Sequence, residues 1–508
     1  MAAADTTTTQ EDAAPKRGLV LVTLTFVTML YAMTVTIANV SLPQMQGALS
    51  ATTDQIALVV TFNIVATAIV TPMTGWLTGR FGRRNTMIWG VGGFTIASFL
   101  CGAAPNLETL VLFRAAQGAF GAPLVPLSQA ILLETYPKKD HGFASSVYGT
   151  GVVLGPVIAP TLGGYLSEML SWRWVFFMII PFGVIAMTGV IALIKTRSER
   201  PSTKLDWTGF LSLSIAVAAG QLMLDRGERN DWFNSTEIIA VAGLSCLALY
   251  FFVAHTITAK EGSSFLNPVI LKDRNYVLGL LIVFVFGMLN FTPMTLLPPL
   301  LQTVQDYPDS IIGWLLGARG LGTMLAFSMM VYLSKLDPRP ILIIGFLIQG
   351  IAGFAMANFD VNVTTFDVAW TSCLQGFGVG LIWVPVTLIT FSTLDPKLLP
   401  EGMAIFHLLR NFGSSVFISI SFAVVIRTGK MNYAEMVEHI SPFNERLDMP
   451  FVAGRWAFDT TQGLAAMSGE VGRQAIMVGY VNAFYLFALA CLSVIPFVFL
   501  VRMRQASR

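Results

Sequence analysis

Residues Gly149–Gly164 read GTGVVLGPVIAPTLGG, an apolar run interrupted by glycines and two prolines. Gly151, Gly155, Ala159 and Gly163 recur every fourth residue, so on a helix they form one bare ridge along which a second backbone can lie closely. Pro156 and Pro160 each remove one ladder hydrogen bond, which a helix in a bilayer tolerates where neighbouring helices or water satisfy the freed carbonyls. The stretch therefore reads as a bent membrane helix beside a tight crossing. A plain packing helix needs the glycines but not the Gly-Pro and Ala-Pro steps, which point instead to a chain whose helices shift during transport.

Composition agrees with a membrane setting. Hydrophobic residues make up 54% of the 508 and charged residues 12%, a balance that a water-soluble chain cannot solvate. The net charge of +2 is dispersed, which argues against a nucleic-acid partner. Cys101, Cys246, Cys373 and Cys491 lie in apolar runs with neither disulfide nor metal-ligand spacing, and no cofactor is implied. His141, His255, His407 and His439 come without an HExxH motif or a nucleophile elbow, so no enzyme is expected.

Apolar stretches of about 20 residues, the length that crosses a bilayer, start near residues 18, 55, 85, 107, 141, 172, 207, 236, 275, 309, 339, 367, 400 and 476. These fourteen spans predict an all-α polytopic membrane protein. Lysine and arginine test the count, because they concentrate in the loops facing the cytoplasm. One set of alternate loops holds Arg80, Arg83, Arg84, Lys138, Lys139, Lys272, Arg274, Lys335 and Arg339, whereas the short loops opposite hold Arg173, Arg226 and Arg229. Both termini are thus expected in the cytoplasm, and residues 429–475 form a long outer loop.

A weak repeat accounts for the number of spans. Gln117-Gly118 returns as Gln375-Gly376, Pro137-Lys138 as Pro396-Lys397, and Gly142-Phe143-Ala144 as Gly402-Met403-Ala404, at nearly constant displacement. The division that follows is a cytoplasmic tail over 1–17, a six-helix half over 18–195, a linker with two extra spans over 196–274, and a second six-helix half over 275–508. Parallel halves of six helices suit alternating access to a central cavity.

Seven stretches carry a resemblance that covers nearly the whole chain: TIANVSLP from Thr36, GWLTGRFGRR from Gly75, LVLFRAAQG from Leu110, the glycine and proline run, WRWVFF from Trp172, LDRGERNDWF from Leu224 and LLRNFGSS from Leu408. In this order the chain resembles the fourteen-span drug:proton antiporter branch of the major facilitator superfamily, EmrB type. The resemblance implies the major facilitator fold, proton-driven export of hydrophobic compounds across a bacterial inner membrane, and a periplasmic adaptor protein as partner. A dedicated metabolite exporter, an uncoupled facilitator and a non-transport receptor or scaffold are the alternatives.

Candidate site residues follow from charge and spacing. A guanidinium inside an apolar span must face protein, water or a partner, which marks Arg114, and Gln117 one turn later shares its face. The resemblance ties this arginine to proton transfer. Gly75–Arg84 joins glycines to Arg80, Arg83 and Arg84 at a helix turn and reads either as a gating latch or as a basic anchor; Gly79 stands where the family carries an acid. His407, Arg410, Asn411, Ser414 and Ser415 make a polar stripe on the thirteenth span. Thr34 stands where relatives carry a first-helix Asp, and a hydroxyl cannot titrate near neutral pH. Glu134, Asp206 and Asp225 are the remaining acids considered, each with a structural reading beside the functional one. Thr34, Asn39, Asn63, Asn290, Gln375 and Trp383, with the stripe, are expected to surround a small-molecule cavity. With no central carboxylate, neutral, amphipathic or anionic compounds suit it better than dications.

Overall fold

The computed structural model describes residues 14–194, 205–259, 264–395, 398–441, 456 and 460–501; the side chains of Asn39 and Pro160 lie outside the described residues. Within these, every regular element is helical, and fourteen segments are long and apolar enough to cross a bilayer. They are α1 (Arg17–Ala38), α2 (Gln55–Phe81), α3 (Arg83–Ala103), α4 (Leu107–Thr135), α5 (Lys138–Ser167), α6 (Trp174–Leu193), α7 (Trp207–Arg226), α8 (Thr236–Thr258), α9 (Arg274–Gln305), α10 (Ile311–Leu333), α11 (Pro338–Met356), α12 (Thr365–Phe391), α13 (Leu399–Glu438) and α14 (Thr461–Phe499). The even number puts the outer ends of α1 and α14 on one side, the terminal face.

Polar residues start these helices where apolar runs alone would not. Thr52 and Thr364 form capping boxes with Gln55 and Asp367, and the side chains of Asn106, Asp273, Asp337 and Thr460 accept backbone N–H bonds at the starts of α4, α9, α11 and α14. Gly82 (φ +81°) is the one glycine in the left-handed region among the described residues, and it makes the turn between α2 and α3. Trp89, Ile96, Phe99, Tyr250 and Phe251 are exposed outward, as a lipid-facing surface requires.

Each half builds its own core. Leu24, Val27, Met87, Phe94, Leu127, Tyr148 and Val190 pack together in the first. Tyr276, Phe286, Phe346, Trp383, Phe406 and Phe487 pack together in the second, and this core takes in Ala130 and Leu133 of α4, so the halves meet toward the terminal face.

Part of the segment expected as an outer loop over 429–475 is helical. α13 continues to Glu438 and α14 begins at Thr461. Counting apolar residues finds the bilayer-crossing part of a helix but not a polar continuation such as NYAEMVE or TQGLAAMSGE, whose backbone bonds are satisfied within the helix while its side chains meet water.

Candidate functional site

The glycine ridge of α5 lies on α1. A Cβ at Gly151 would meet Thr25, one at Gly155 the Met29 carbonyl oxygen at 2.7 Å, and one at Gly163 the Ile37 side chain at 2.6 Å. The contacts advance in fours along α1, so the backbones run side by side for about three turns. Tyr148 donates to Thr28 at 2.9 Å, and Ser41 and Ser167 hydroxyls lie 2.8 Å apart, pinning the pair near both ends. The other side of α5 packs on α10 of the second half, with Gly149 on Phe327 and Val157 over Gly320, and Gly142 lies on Ser334 just past the end of α10. The ridge helix is therefore wedged at the boundary between the halves. Pro156 lies in its middle, in an unbroken helix from His141 to Met169.

Arg114, 1% exposed, is held by neutral groups. Its Nε donates to the Val59 carbonyl at 3.3 Å and its Nη1 to Gln117 Oε1 at 2.5 Å; Gln117 Nε2 donates onward to Ser98 at 2.7 Å. Asn63 donates to the Arg114 carbonyl at 2.9 Å, and the Phe176 ring lies 5.8 Å from the guanidinium carbon. The network ties α2, α3 and α4 together.

The second half contains a matching knot. Arg319 on α10 donates through Nε to Gln375 Oε1 at 2.7 Å and through Nη2 to both the carbonyl and Oδ1 of Asn290, each at 2.7 Å. The joint beneath is duplicated as well. Thr67 donates to the carbonyls of Asn63 (2.8 Å) and Gly118 (3.2 Å), and Thr323 to those of Arg319 (2.9 Å) and Gly376 (3.0 Å). A Cβ at Gly118 would strike the Asn63 carbonyl oxygen, and one at Gly376 that of Arg319. The glycines permit these helices to touch backbone to backbone.

The polar stripe on α13 divides. His407 Nε2 lies 2.8 Å from Gln129 Oε1 across the boundary, and Gln129 donates to Thr387 at 3.4 Å. Arg410 donates to Asn411 Oδ1 at 2.9 Å and stacks with its guanidinium carbon 5.3 Å from the Trp383 ring, which borders Phe286, Phe406 and His407. Ser415 turns instead toward α7, accepting from Gln221 at 2.9 Å. No carboxylate pairs with Arg114, Arg319 or Arg410 among the described residues. Three guanidiniums without counter-ions make the interior electropositive.

The remaining expected site residues are placed as follows. Thr34 is 2% exposed and donates to the Leu30 carbonyl of its own helix at 2.7 Å, so its hydroxyl is already committed. Asn63, Asn290 and Gln375 belong to the arginine networks. Glu134 is ion-paired with Arg83 at the terminal face, and Arg80 is exposed there. Gly75 packs on Glu401 of α13 so closely that a Cβ on the glycine would lie 3.0 Å from that of the glutamate, and Glu401 accepts the Asn267 N–H at 2.5 Å. Charge and spacing do not mark Glu401 as a site residue; an acid directly after Pro400 at a helix start is the available signal.

The two extra spans have separate duties. α7 reaches both halves: Thr61 of α2 donates to Asp225 at 2.5 Å, while Gln221 donates to Ser415 and Ser419 donates to the Leu224 carbonyl at 2.6 Å. Sequence proximity suggests Arg226 or Arg229 as the partner of Asp225; Arg226 pairs with Glu237 at 2.5 Å. Asp206 caps α7 through the Gly209 N–H at 3.0 Å and also accepts from the Phe265 N–H at 3.0 Å, with His255 Nε2 2.9 Å away. Burial alone would raise the Asp206 carboxyl, but these bonds and the nearby imidazole outweigh it and hold the group below the usual carboxylate range.

Comparison with known proteins agrees with this architecture. The sequence profile of the Major Facilitator Superfamily matches residues 24–418. The chain is 31% identical over 489 residues to the Multidrug export protein EmrB of Haemophilus influenzae, covering 94% of each. It is 31% identical over 429 residues to the Escherichia coli K12 protein of the same name, covering 84% of this chain and 83% of the relative. The Fatty acid resistance protein FarB of Neisseria gonorrhoeae is 31% identical over 472 residues, 92% of each. Among solved structures, a double-tryptophan mutant of XylE superposes with a TM-score of 0.64 at 12% identity, covering 97% of both chains, which speaks to the fold alone.

Proposed function

The chain belongs to the Major Facilitator Superfamily, and on that premise we propose that it exports hydrophobic and amphipathic small molecules by proton antiport, through alternating access between its two halves. The observation that carries the reading is 31% identity to a multidrug export protein along 94% of the chain. The ridge of Gly151, Gly155 and Gly163 on α5, at the boundary between the halves, supports it, as do Pro156 and Pro160 in the sequence of the same helix. The basic loops support a bacterial inner-membrane orientation with the terminal face in the cytoplasm. The resemblance also supports a periplasmic adaptor as partner.

In this reading Arg114 and Gln117 form the coupling network of the first half, while Arg80 and the Arg83–Glu134 pair belong to the cytoplasmic gate. Trp383, His407, Arg410 and Asn411, with Asn290 and Gln375 behind them, make the cavity wall of the second half. Three guanidiniums without carboxylates favour amphipathic anions and neutral compounds over dications. The name of the gonococcal relative, a fatty acid resistance protein, is of that chemical kind.

Purified protein in liposomes tests the reading: efflux of a panel of hydrophobic dyes and drugs is followed with and without an imposed pH gradient, for wild type and Arg114→Ala. Gradient-dependent efflux that the substitution abolishes is the expected result. Efflux indifferent to the gradient would make the protein a facilitator.

A further inference from the structure

A line of hydrogen bonds crosses between the halves about two turns inside the terminal-face ends of α4 and α13, and its direction is fixed. It starts from the Trp383 carbonyl, which can only accept. Thr387 donates to that carbonyl at 2.9 Å, so its hydroxyl proton is used and its oxygen accepts from Gln129 Nε2 at 3.4 Å. The Gln129 amide is thereby turned with Oε1 toward His407, 2.8 Å from Nε2. An amide oxygen only accepts, so Nε2 carries the ring proton and Nδ1 holds a bare lone pair. His407 is 2% exposed, and its Nδ1 has no hydrogen-bond partner among the described residues. Buried polar atoms are ordinarily paired, so this lone pair calls for an explanation.

The surroundings offer a proton on Nδ1 nothing to pair with. Arg410, one turn farther along α13, is the charged group that acts on the ring. Glu401 lies on the same helix toward the terminal face, where it accepts the Asn267 N–H. α4 contributes Gln129, and α12 contributes Thr387 and the Trp383 ring, 5.9 Å from the imidazole. α9 contributes Phe286 against Trp383, and Tyr276, whose hydroxyl donates to the Gly402 carbonyl at 2.9 Å. Tyr31 of α1 and Tyr148 of α5 act on Arg410 instead. α2 meets α13 at Glu401, and α7 meets it at Ser415 and Ser419, away from the ring. An imidazolium in this place is a second cation beside Arg410 with a stranded N–H, and both costs are relieved only when water reaches the ring. That requires α4 and α13 to part. The same movement releases the other contacts that close the terminal face, Gly75 on Glu401 and Lys138 Nζ on the Ser392 carbonyl at 3.4 Å.

We propose that Nδ1 of His407 is the proton-binding site of the transport cycle, and that the His407–Gln129 bond is the latch through which a proton opens the terminal face. The step is acid–base alone. A proton from the outer side forms the Nδ1–H bond, the imidazolium drives α13 from α4, and the terminal face opens. The proton then leaves to cytoplasmic water, and the neutral ring closes again on Gln129 after a compound has entered. A proton carried inward thus drives a compound outward, because protonation and closure of this face oppose each other. Thr34 cannot titrate in the first span, whereas an imidazole reached by water titrates nearest neutrality of all side chains. This inference rests on the export reading and deepens it by giving the proton a residue.

The experiment follows hydrogen–deuterium exchange of the full chain in lipid nanodiscs at about pH 8 and about pH 5.5, either side of the ordinary imidazole value of about 6.5, with intrinsic rates corrected. In wild type, peptides holding Gln129–Thr135 and Leu399–His407 are expected to exchange roughly threefold faster or more at the lower pH. His407→Gln can still donate to Gln129 but cannot titrate, and is expected to exchange equally at both. Gln129→Leu removes the latch from the other side and is expected to exchange fast at both. A wild-type response to pH in either variant, or no response in wild type, overturns the proposal. In liposomes, His407→Gln is expected to lose gradient-driven efflux of a hydrophobic dye by roughly tenfold or more, while dye exchange at equal pH on both sides stays within about twofold of wild type. Undiminished gradient-driven efflux in His407→Gln also overturns it. If wild type moves no compound, the export reading falls, and the deuterium exchange still decides whether His407 is a protonation latch.

Discussion

Arg319 donates to Gln375 at 2.7 Å from a neighbouring helix, whereas the matching bond to Gln117 in the first half comes from Arg114 on the glutamine's own helix. The two halves thus hold a buried cation on the same amide by different routes. In both, the partners are neutral, so removing the cation leaves buried acceptors unpaired.

Arg114→Ala is expected to lower the melting temperature in detergent, because Gln117 Oε1 and the Val59 carbonyl each lose a donor, at about 1–3 kcal/mol per stranded group. Thermal unfolding followed by intrinsic fluorescence measures it. Arg114→Ala/Gln117→Leu is expected to recover part of that loss without recovering gradient-driven efflux. Recovery of both would reduce the arginine to a structural part.

Gly155→Ala and Gly164→Ala are expected to part company. The first places a methyl 2.7 Å from the Met29 carbonyl oxygen, so a backbone must move, at about 1–3 kcal/mol. The second meets nothing within 4 Å and is expected to leave stability and efflux unchanged. Melting temperatures of the two, measured side by side, check the tight α1–α5 crossing.

Asp206→Ala is expected to destabilise the α7–α8 junction by about 1–2 kcal/mol, the range for a lost helix cap. Since the folded state depresses this carboxyl, its contribution is complete above the ordinary carboxylate value of about 3.9 and fades as pH falls through the lower native one. The gap between wild type and variant should accordingly shrink as pH falls through the depressed native value of the carboxyl.

Arg410→Gln is expected to reduce the apparent affinity for anionic amphiphiles by about tenfold or more while leaving neutral compounds nearly unaffected, since the stack on Trp383 is retained in part and the charge is not. Competition of fatty acids and of an uncharged dye for efflux separates the two. An equal loss for both would refute an anion-reading role.

Much of the architecture is legible in the sequence because the bilayer imposes it. Length and hydropathy yield fourteen spans, and the fourfold spacing of Gly151, Gly155 and Gly163 tells which face of α5 lies against another helix. The site is less legible. Among Gly317, Gly320 and Gly322, Arg319 reads either as a snorkelling charge or as one lining the pathway, because its partners Asn290 and Gln375 lie 29 and 56 residues away on other spans. Thr34, Asn63 and Gln375 suggest cavity residues by polarity alone, and the partners found for them, the Leu30 and Arg114 carbonyls and the Arg319 guanidinium, lie within their own halves. Polarity inside a membrane span says that a partner exists but not which.

Thr67 and Thr323 hold the Gln-Gly turns of the two halves by the same pair of carbonyl bonds, although Asn63 occupies the place in α2 that Arg319 occupies in α10. The two halves thus share a joint in which a threonine hydroxyl spans two backbone carbonyls beside a glycine, while the guanidinium bound to the neighbouring glutamine is mounted on a different helix in each. What the halves have in common is the closeness of two backbones, and where they differ is the helix that carries the charge.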